Sequence, residues 1–312
     1  LSSTPSSSTI QKNEKVYDMV AIGAGAGGLV TSRQVARRGG SSVMISGGLA
    51  GGDCLNVGCV PSKALIRCAK MVRECRKAKN DTIFGVRFKV MVDDDNDNNN
   101  DDVNANDNDN NNNVSIEVDF PKVMERMRML RSKIAPIDGH VRGGEIGVRV
   151  LQGFGSFVGP NEIKIIPNKH VGGHQHDEEE KGEKQDKQEE EQEEGIRVKF
   201  KKAAICTGGR AYVPNVPGLS DAPYTTNETL FNLSKLPKRM VILGSGVVAL
   251  EMAQVFATFG SQVTVLVRGK GLFPKGDPDA GPTIQRALEK DGVTFLTYTT
   301  LQNVHTLKQG II

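Results

Sequence analysis

No apolar run in this 312-residue chain approaches the length that crosses a bilayer; the longest candidate, Met240 to Ala249, is short and broken by glycines, so no membrane partner is expected. Cysteine is scarce. Five is an odd number, which argues against a secreted framework of structural disulfides and points to an intracellular setting. Excess charge is small as well, at +3, but the balance conceals two acidic segments: residues 92 to 113 hold eight aspartates and no base, and residues 177 to 194 hold eleven acids and three lysines. The remainder is basic. Arg67, Lys70, Arg73, Arg76, Lys77 and Lys79 form one basic helical stretch, and Arg126, Arg128, Arg131 and Lys133 another. No nucleic-acid-binding motif accompanies them, so they read as solvated helix faces and no nucleic-acid partner is expected. An initiating methionine is lacking too. Leu1 to Thr9 is rich in serine and free of acids, which suits an organelle transit-peptide remnant and a disordered tail alike.

What is present is concentrated in Gly51-Gly52-Asp53-Cys54-Leu55-Asn56-Val57-Gly58-Cys59-Val60-Pro61-Ser62-Lys63: two cysteines with four residues between them, glycines on both sides and a lysine close behind. The pair reads as a redox-active disulfide. A regular helix would hold the two Cα atoms about 8.7 Å apart, beyond the roughly 7 Å limit for a bridge, so the helix must be irregular there. Gly58 permits the distortion by its freedom in φ, and Pro61 removes a backbone donor near the start of the helix that follows. That helix, through Ala64, Leu65, Ile66 and Ala69, would aim its positive end at the pair and favour thiolate. Cys68, Cys75 and Cys206 read as structural or incidental.

Two further stretches share one grammar. Val16 to Ile22 reads as a buried strand, followed by Gly23-Ala24-Gly25-Ala26-Gly27-Gly28 and an apolar helix. Gly23 allows a tight turn, Gly25 lets backbone approach a pyrophosphate, and Gly28 lets the helix pack on the strand. Met240 to Leu243, then Gly244-Ser245-Gly246 with Ala249 as the third small residue, repeats the pattern. Second strands are expected at Ser42 to Ile45 and Val263 to Val267. Between the two motifs come a strand edge at Phe84 to Met91, an amphipathic helix over Asp119 to Lys133 with Val123, Met127 and Leu130 on one face, short strands within Gly147 to Ile166, and a strand pair over Ile196 to Cys206. The Asp/Asn-rich run from Val92 to Asn113 reads as disordered rather than as a calcium site, for it lacks the glycine and closing glutamate of a calcium loop. His170, His174 and His176 open a second low-complexity stretch, where no fixed scaffold holds them. No resident metal site is expected.

The segment GGDCLNVGCVPSK resembles the active-site signature of the class I pyridine nucleotide-disulfide oxidoreductases, flavoproteins that include dihydrolipoamide dehydrogenase, glutathione reductase and mercuric reductase. Within that class, GGDCLNVGCVPSKAL and FPKVMERMR look most like the mercuric-reductase-like branch. The resemblance implies an α/β fold with two Rossmann-like, three-layer dinucleotide-binding domains: a disordered tail over 1–15, an FAD-binding domain over 16–235 with disordered insertions at 92–113 and 169–195, and an incomplete NAD(P)-binding domain over 236–312. It implies that the chain is a C-terminally truncated fragment without the dimerisation domain, and that the full-length relative is a homodimer.

The same resemblance implies site roles. Electrons would pass from NAD(P)H through FAD to a Cys54–Cys59 disulfide and on to a disulfide or metal-ion acceptor. Cys59 would lie against the flavin, Cys54 would be the exposed interchange thiol, and Lys63 would sit near the flavin ring. FAD would be held by Gly23, Gly25, Ala26, Gly27, Gly28, Gly52 and Asp53, with Gly155 beside the adenine and Thr207 and Gly208 closing back on the dinucleotide. Ser46 stands where the family places a ribose-binding glutamate and would still offer the FAD ribose one hydrogen bond, and Cys206 stands where alanine is usual. The nicotinamide dinucleotide would be held by Gly244, Gly246, Ala249, Glu251 and Arg268. Because no acid ends the second strand of that motif and Arg268 suits a 2′-phosphate, NADP is preferred over NAD. As a fragment the chain is expected to be inactive; the alternative is a truncated nucleotide-binding or redox-sensing protein without turnover.

Overall fold

A computed structural model describes residues 15–80, 116–168, 195–307 and 310–311. The strand edge expected at 84–91, the run at 92–113, the histidines at 170, 174 and 176, and nearly all of the expected tail and second insertion lie outside the described residues. The elements are β1 (Val16–Ile22), α1 (Ala26–Arg37), β2 (Ser42–Ser46), α2 (Gly52–Asn56), α3 (Cys59–Asn80), α4 (Phe120–Asp138), α5 (His140–Glu145), β3 (Val148–Gly159), β4 (Glu162–Pro167), β5 (Ile196–Ile205), α6 (Asn227–Leu230), β6 (Arg239–Leu243), α7 (Val247–Phe259), β7 (Gln262–Leu266), α8 (Ala280–Lys290) and β8 (Val293–Leu296), then a ribbon of β9 (Thr306–Leu307) and β10 (Gly310–Ile311). They form two compact units, Leu1–Val60 with Leu130–Tyr212, and Pro61–Met129 with Val213–Ile312. Each carries one strand, glycine turn and helix, the Rossmann-like pattern of an α/β protein.

In the first unit β1 lies between β2 and β5, all three parallel. The first half of β3 continues this sheet beside β2, from Val148 opposite Ser42 to Gln152 opposite Ser46; its second half turns away and pairs antiparallel with β4. The change falls at Gly153, where a Cβ would collide with the Ile166 carbonyl. β5 makes the matching switch: Ile196 to Lys199 pair with β4, and Lys199 to Ile205 run along β1. The five strands thereby close into a barrel. Ile196 to Cys206, expected as a strand pair, is one long strand that exchanges an antiparallel neighbour for a parallel one. Alternation along β2 divides the apolar load: Val43 and Ile45 pack inward with Val20, Ile22, Ile163, Ile165, Val198 and Phe200, while Met44 faces Leu29 of α1 with Ala24 and Val148.

In the second unit β6, β7 and β8 are parallel, with Met240 opposite Val263 and Val263 opposite Val293. α7 buries Leu250, Met252, Ala253, Val255, Phe256 and Phe259, and stops at Gly260, whose φ of 112° ends the helix in the left-handed region. Val241, Leu243 and Leu296 remain exposed on the strands. The amphipathic helix expected over Asp119 to Lys133 forms as α4, but its buried stripe is Phe120, Met124 and Met127. Val123 and Leu130 are only partly covered. The register follows Phe120, whose ring lies 6.0 Å from Phe256 and 6.2 Å from Phe259. Several basic residues of the two basic stretches have partners: Arg73 binds Asp291 at 2.9 Å, and Arg131 donates to the Asn56 carbonyl at 3.0 Å.

Ile165 is fully buried where the antiparallel strands meet the parallel ones. Ile165→Ala is expected to lower unfolding stability by about 2–5 kcal/mol in a urea titration, as for other large-to-small core changes. A shift within error would show that this cluster does not hold the barrel closed.

Candidate functional site

The first glycine turn is set by steric necessity at two positions. Gly23 has φ of 113°, and a Cβ there would meet the Cys206 carbonyl; a Cβ on Gly28 would meet the Gly23 carbonyl. Gly23 N–H donates to the Ile45 carbonyl at 2.8 Å and Cys206 N–H to the Ile22 carbonyl at 2.8 Å, which locks the turn between β2 and the end of β5. Cys206 therefore packs directly on the turn, its Sγ 3.2 Å from where a Gly27 Cβ would sit. Thr207 and Gly208 follow it and are exposed. Gly25 opens α1 without a side-chain cap. The N–H groups of Ala26, Gly27 and Gly28 are left without intrahelical acceptors, at the positive end of the helix. Ala26 and Gly27 are exposed. This cradle fits a pyrophosphate.

The cysteine segment is docked onto that cradle by backbone alone. Gly51 N–H donates to the Ala24 carbonyl at 2.9 Å, and a Cβ on Gly52 would stand 2.6 Å from the Gly25 Cα. Gly51 and Gly52 both take positive φ, 89° and 55°. α2 then carries Asp53 and Cys54, and α3 begins at Cys59. The irregularity expected between the cysteines is the break at Val57 and Gly58. Gly58 is needed there not for positive φ but for its missing Cβ, which would lie 2.7 Å from the Asp53 carbonyl. The two sulfurs come together as thiols, with the Cys54 and Cys59 side chains hydrogen-bonded. That hydrogen bond, then burial, then the Cys59 and Asp138 charges push the Cys54 thiol above its ordinary range. The upward direction opposes the thiolate-favouring field expected from the helix. Cys59 is exposed and Cys54 half-buried.

Ser46 ends β2 and is 2% exposed; its hydroxyl donates to the Gly48 carbonyl at 2.8 Å and meets His140 Nε2 at 3.0 Å. Gly47 lies under the exposed Phe154 ring, and its carbonyl accepts from Asn168 Nδ2 at 2.8 Å. Gly155 sits deeper in β3, where a Cβ would press on the terminal methyls of Ile163 at 2.8 Å and Ile45 at 3.1 Å, so a larger residue there would make these side chains shift. His140, Phe154 and Asn168 went unnoticed in the sequence. So did Arg33 of α1, which holds the turn before α5 through Asp138 at 3.6 Å and the Gly139 carbonyl at 3.5 Å.

In the second unit the cradle is looser. Gly244 requires glycine for its φ of 95°, but a Cβ on Gly244 or Gly246 would meet nothing within 4 Å. α7 again starts without a side-chain cap, and its N-terminus fits a second pyrophosphate. Glu251 on α7 receives Lys63 of α3 at 2.8 Å, so two residues singled out separately form one ion pair. The Lys63 side chain is 64% exposed, which limits the pair to about 1 kcal/mol or less. Arg268 is exposed just beyond β7. Among the described residues no group of three His, Cys, Asp or Glu side chains is placed to hold a metal, and no helix is long and apolar enough to cross a membrane.

The described residues thus present two glycine turns of the dinucleotide-binding kind on an α/β frame, one with a dithiol packed on it. The model of the pyridine nucleotide-disulphide oxidoreductase family matches residues 17–311, and the chain belongs to that family, whose cofactors are FAD and NAD(P)H. Among curated relatives, it is 26% identical to a mercuric reductase of Bacillus cereus over 92% of this chain and 37% of that one. It is 26% identical to a dihydrolipoyl dehydrogenase of Acholeplasma laidlawii over 93% of this chain and 71% of that one, and 29% identical to a leghemoglobin reductase of Glycine max over 94% and 47%. The fold is similar to that of the HOCl-induced flavoprotein disulfide reductase RclA from Escherichia coli, with a TM-score of 0.68 and 20% identity, over 96% of this chain and 53% of that one. The chain spans less than two thirds of the length of most of these relatives.

Burial pushes the His140 imidazole below its ordinary value of 6.5. Its depressed value in the folded protein means that the unfolded chain binds the proton more readily, so its stability contribution is present above about pH 6.5 and is lost as pH falls through the folded value. Urea midpoints measured from pH 8 down to pH 5 are expected to fall more steeply for the wild-type chain than for His140→Phe. Parallel curves would contradict the assignment.

Proposed function

We propose that the protein to which this chain belongs is an NAD(P)H-dependent flavoprotein reductase that delivers electrons through FAD to Cys54 and Cys59 and then to a disulfide or metal-ion acceptor. The observation that carries this reading is the direct packing of Gly52 on Gly25, which fixes the dithiol at the edge of a dinucleotide cradle. FAD, when bound, supplies a two-electron carrier between the nicotinamide and the cysteine pair. Gly23, Gly25, Ala26, Gly27, Gly28, Gly52 and Asp53 would hold it, with Thr207 and Gly208 beside them.

Two electrons and two protons convert the Cys54–Cys59 disulfide to two thiols. Deprotonated Cys54 attacks one sulfur of an acceptor disulfide, the acceptor bond breaks, and one acceptor thiol leaves. Cys59 then attacks Cys54 in that mixed disulfide, which restores the internal bond and releases the second thiol. A soft metal ion would instead be ligated by both thiolates. The raised Cys54 pKa slows the first attack at neutral pH.

Gly244, Gly246, Ala249 and Glu251 would line the nicotinamide dinucleotide, with Arg268 meeting a 2′-phosphate. Homodimerisation, expected for a full-length relative, belongs to the same proposal.

One FAD is expected per chain on reconstitution, with a long-wavelength absorbance shoulder after mild anaerobic reduction that Cys59→Ser removes while FAD stays bound. A chain that binds no FAD, or a shoulder that survives the substitution, would count against the reading. Arg268→Ala is expected to raise the Kd for NADPH roughly tenfold or more, the loss of one charged hydrogen bond, with little change for NADH. Equal effects on both would remove the preference for NADP.

A further inference from the structure

Ser46 ends a strand at the edge where parallel sheets of this kind receive their ligands, and its hydroxyl is held on two sides. Its single hydroxyl hydrogen goes to the Gly48 carbonyl, so toward His140 it must accept, and the ring hydrogen must be on Nε2. In a neutral imidazole so arranged, Nδ1 is an acceptor, and it has no hydrogen-bond partner among the described residues. The 2′- and 3′-hydroxyls of a ribose need acceptors, because each offers a hydrogen. The acid that would supply them is not on this strand, where Ser46-Gly47-Gly48 follows Ile45.

We propose that His140 is the acceptor for the adenosine ribose of FAD, with Ser46 as the residue that positions its ring. The inference rests on the flavin reading above and assigns a role to a residue 94 positions away from Ser46 in sequence. Three further observations support it. His140 is half-buried, and burial favours the neutral ring that the role requires. The ring is held from outside its own helix: Arg33 grips Asp138 and the Gly139 carbonyl immediately before it, so α1, which carries the pyrophosphate cradle, also sets the approach to α5. The ring is engaged on its Nε2 side by the buried Ser46, while Nδ1 is not among the buried unpartnered atoms and is open to accept from a ligand. A single neutral acceptor replaces what a carboxylate does with two charged oxygens, so hydroxyl recognition is retained in weaker form.

The test is FAD binding to the full chain, followed by quenching of flavin fluorescence, with FAD and with analogues that lack the adenosine 2′- or 3′-hydroxyl. In the wild-type chain, removal of one of these hydroxyls is expected to weaken binding roughly 3- to 10-fold, the worth of one hydrogen bond. In His140→Phe, FAD and that analogue are expected to bind alike; in His140→Gln, whose side-chain carbonyl restores an acceptor, part of the discrimination is expected to return. The wild-type analogue series stands by itself if a variant fails to fold. Intact FAD binding with no dependence on either hydroxyl, or a dependence unchanged in His140→Phe, would overturn this inference alone. No FAD binding by the wild-type chain would overturn the flavin reading and this inference with it.

Discussion

Two glycine Cα atoms that pass within side-chain distance of each other govern this molecule. Gly25 belongs to the turn after the first strand and Gly52 to the turn before the first cysteine, and a Cβ on Gly52 would stand 2.6 Å from the Gly25 Cα, too close without a shift of backbone. The hydrogen bond from Gly51 to the Ala24 carbonyl, 2.9 Å long, fixes their relative height. Because backbone rather than side chains makes this junction, its geometry cannot relax by rotamer change, and the short α2 leaves it in a direction fixed by two successive positive-φ glycines. The positions of Cys54, the Val57–Gly58 break and Cys59 follow from that departure.

The chemistry available to the pair is a consequence of the same placement. The Cys59 side chain, in hydrogen-bond contact, favours the protonated form of Cys54, which is harder to ionise than a free thiol although a helix starts at its partner. Oxidation removes both protons together and ends that competition, and the pair is therefore better suited to two-electron exchange than to the reactivity of a single thiolate. On the other side of the turn, Cys206 closes over Gly23 and Gly27 and ties the end of β5 to the cradle. The barrel thus serves the site by presenting β1, β2 and β5 at one edge, where their carboxyl ends meet the glycine turn.

Local features were readable from the sequence to the extent that their causes are local. The strands at Val16 to Ile22 and Ser42 onward, both glycine turns, and the need for a break between the cysteines follow from apolar runs and from what a missing Cβ permits. The double life of β5 did not show, because a strand that changes from an antiparallel to a parallel neighbour keeps the same alternation of side chains. The face of α4 was displaced from Val123 and Leu130 to Phe120 and Met124 because distant Phe256 and Phe259 decide it. Gly155 read as a ligand contact from its segment alone, and its contact with the side chains of Ile163 and Ile45 depends on strand pairing that the segment does not show. His140 had no signal beside it at all: its meaning depends on Ser46, and only the path of the chain through Arg33 and Asp138 brings them together.

In the proposed reductase the dinucleotide cradle and the dithiol are a single site. Timed alkylation of the reduced chain with iodoacetamide, read by peptide mass in the presence and absence of saturating FAD, examines that claim with no turnover required. Bound FAD is predicted to slow modification of Cys59, the more exposed of the two thiols in the chain alone, while Cys68 and Cys75 react at unchanged rates. Equal modification of Cys59 with and without bound FAD would mean that the cofactor and the cysteine pair occupy separate places, and the account would fail.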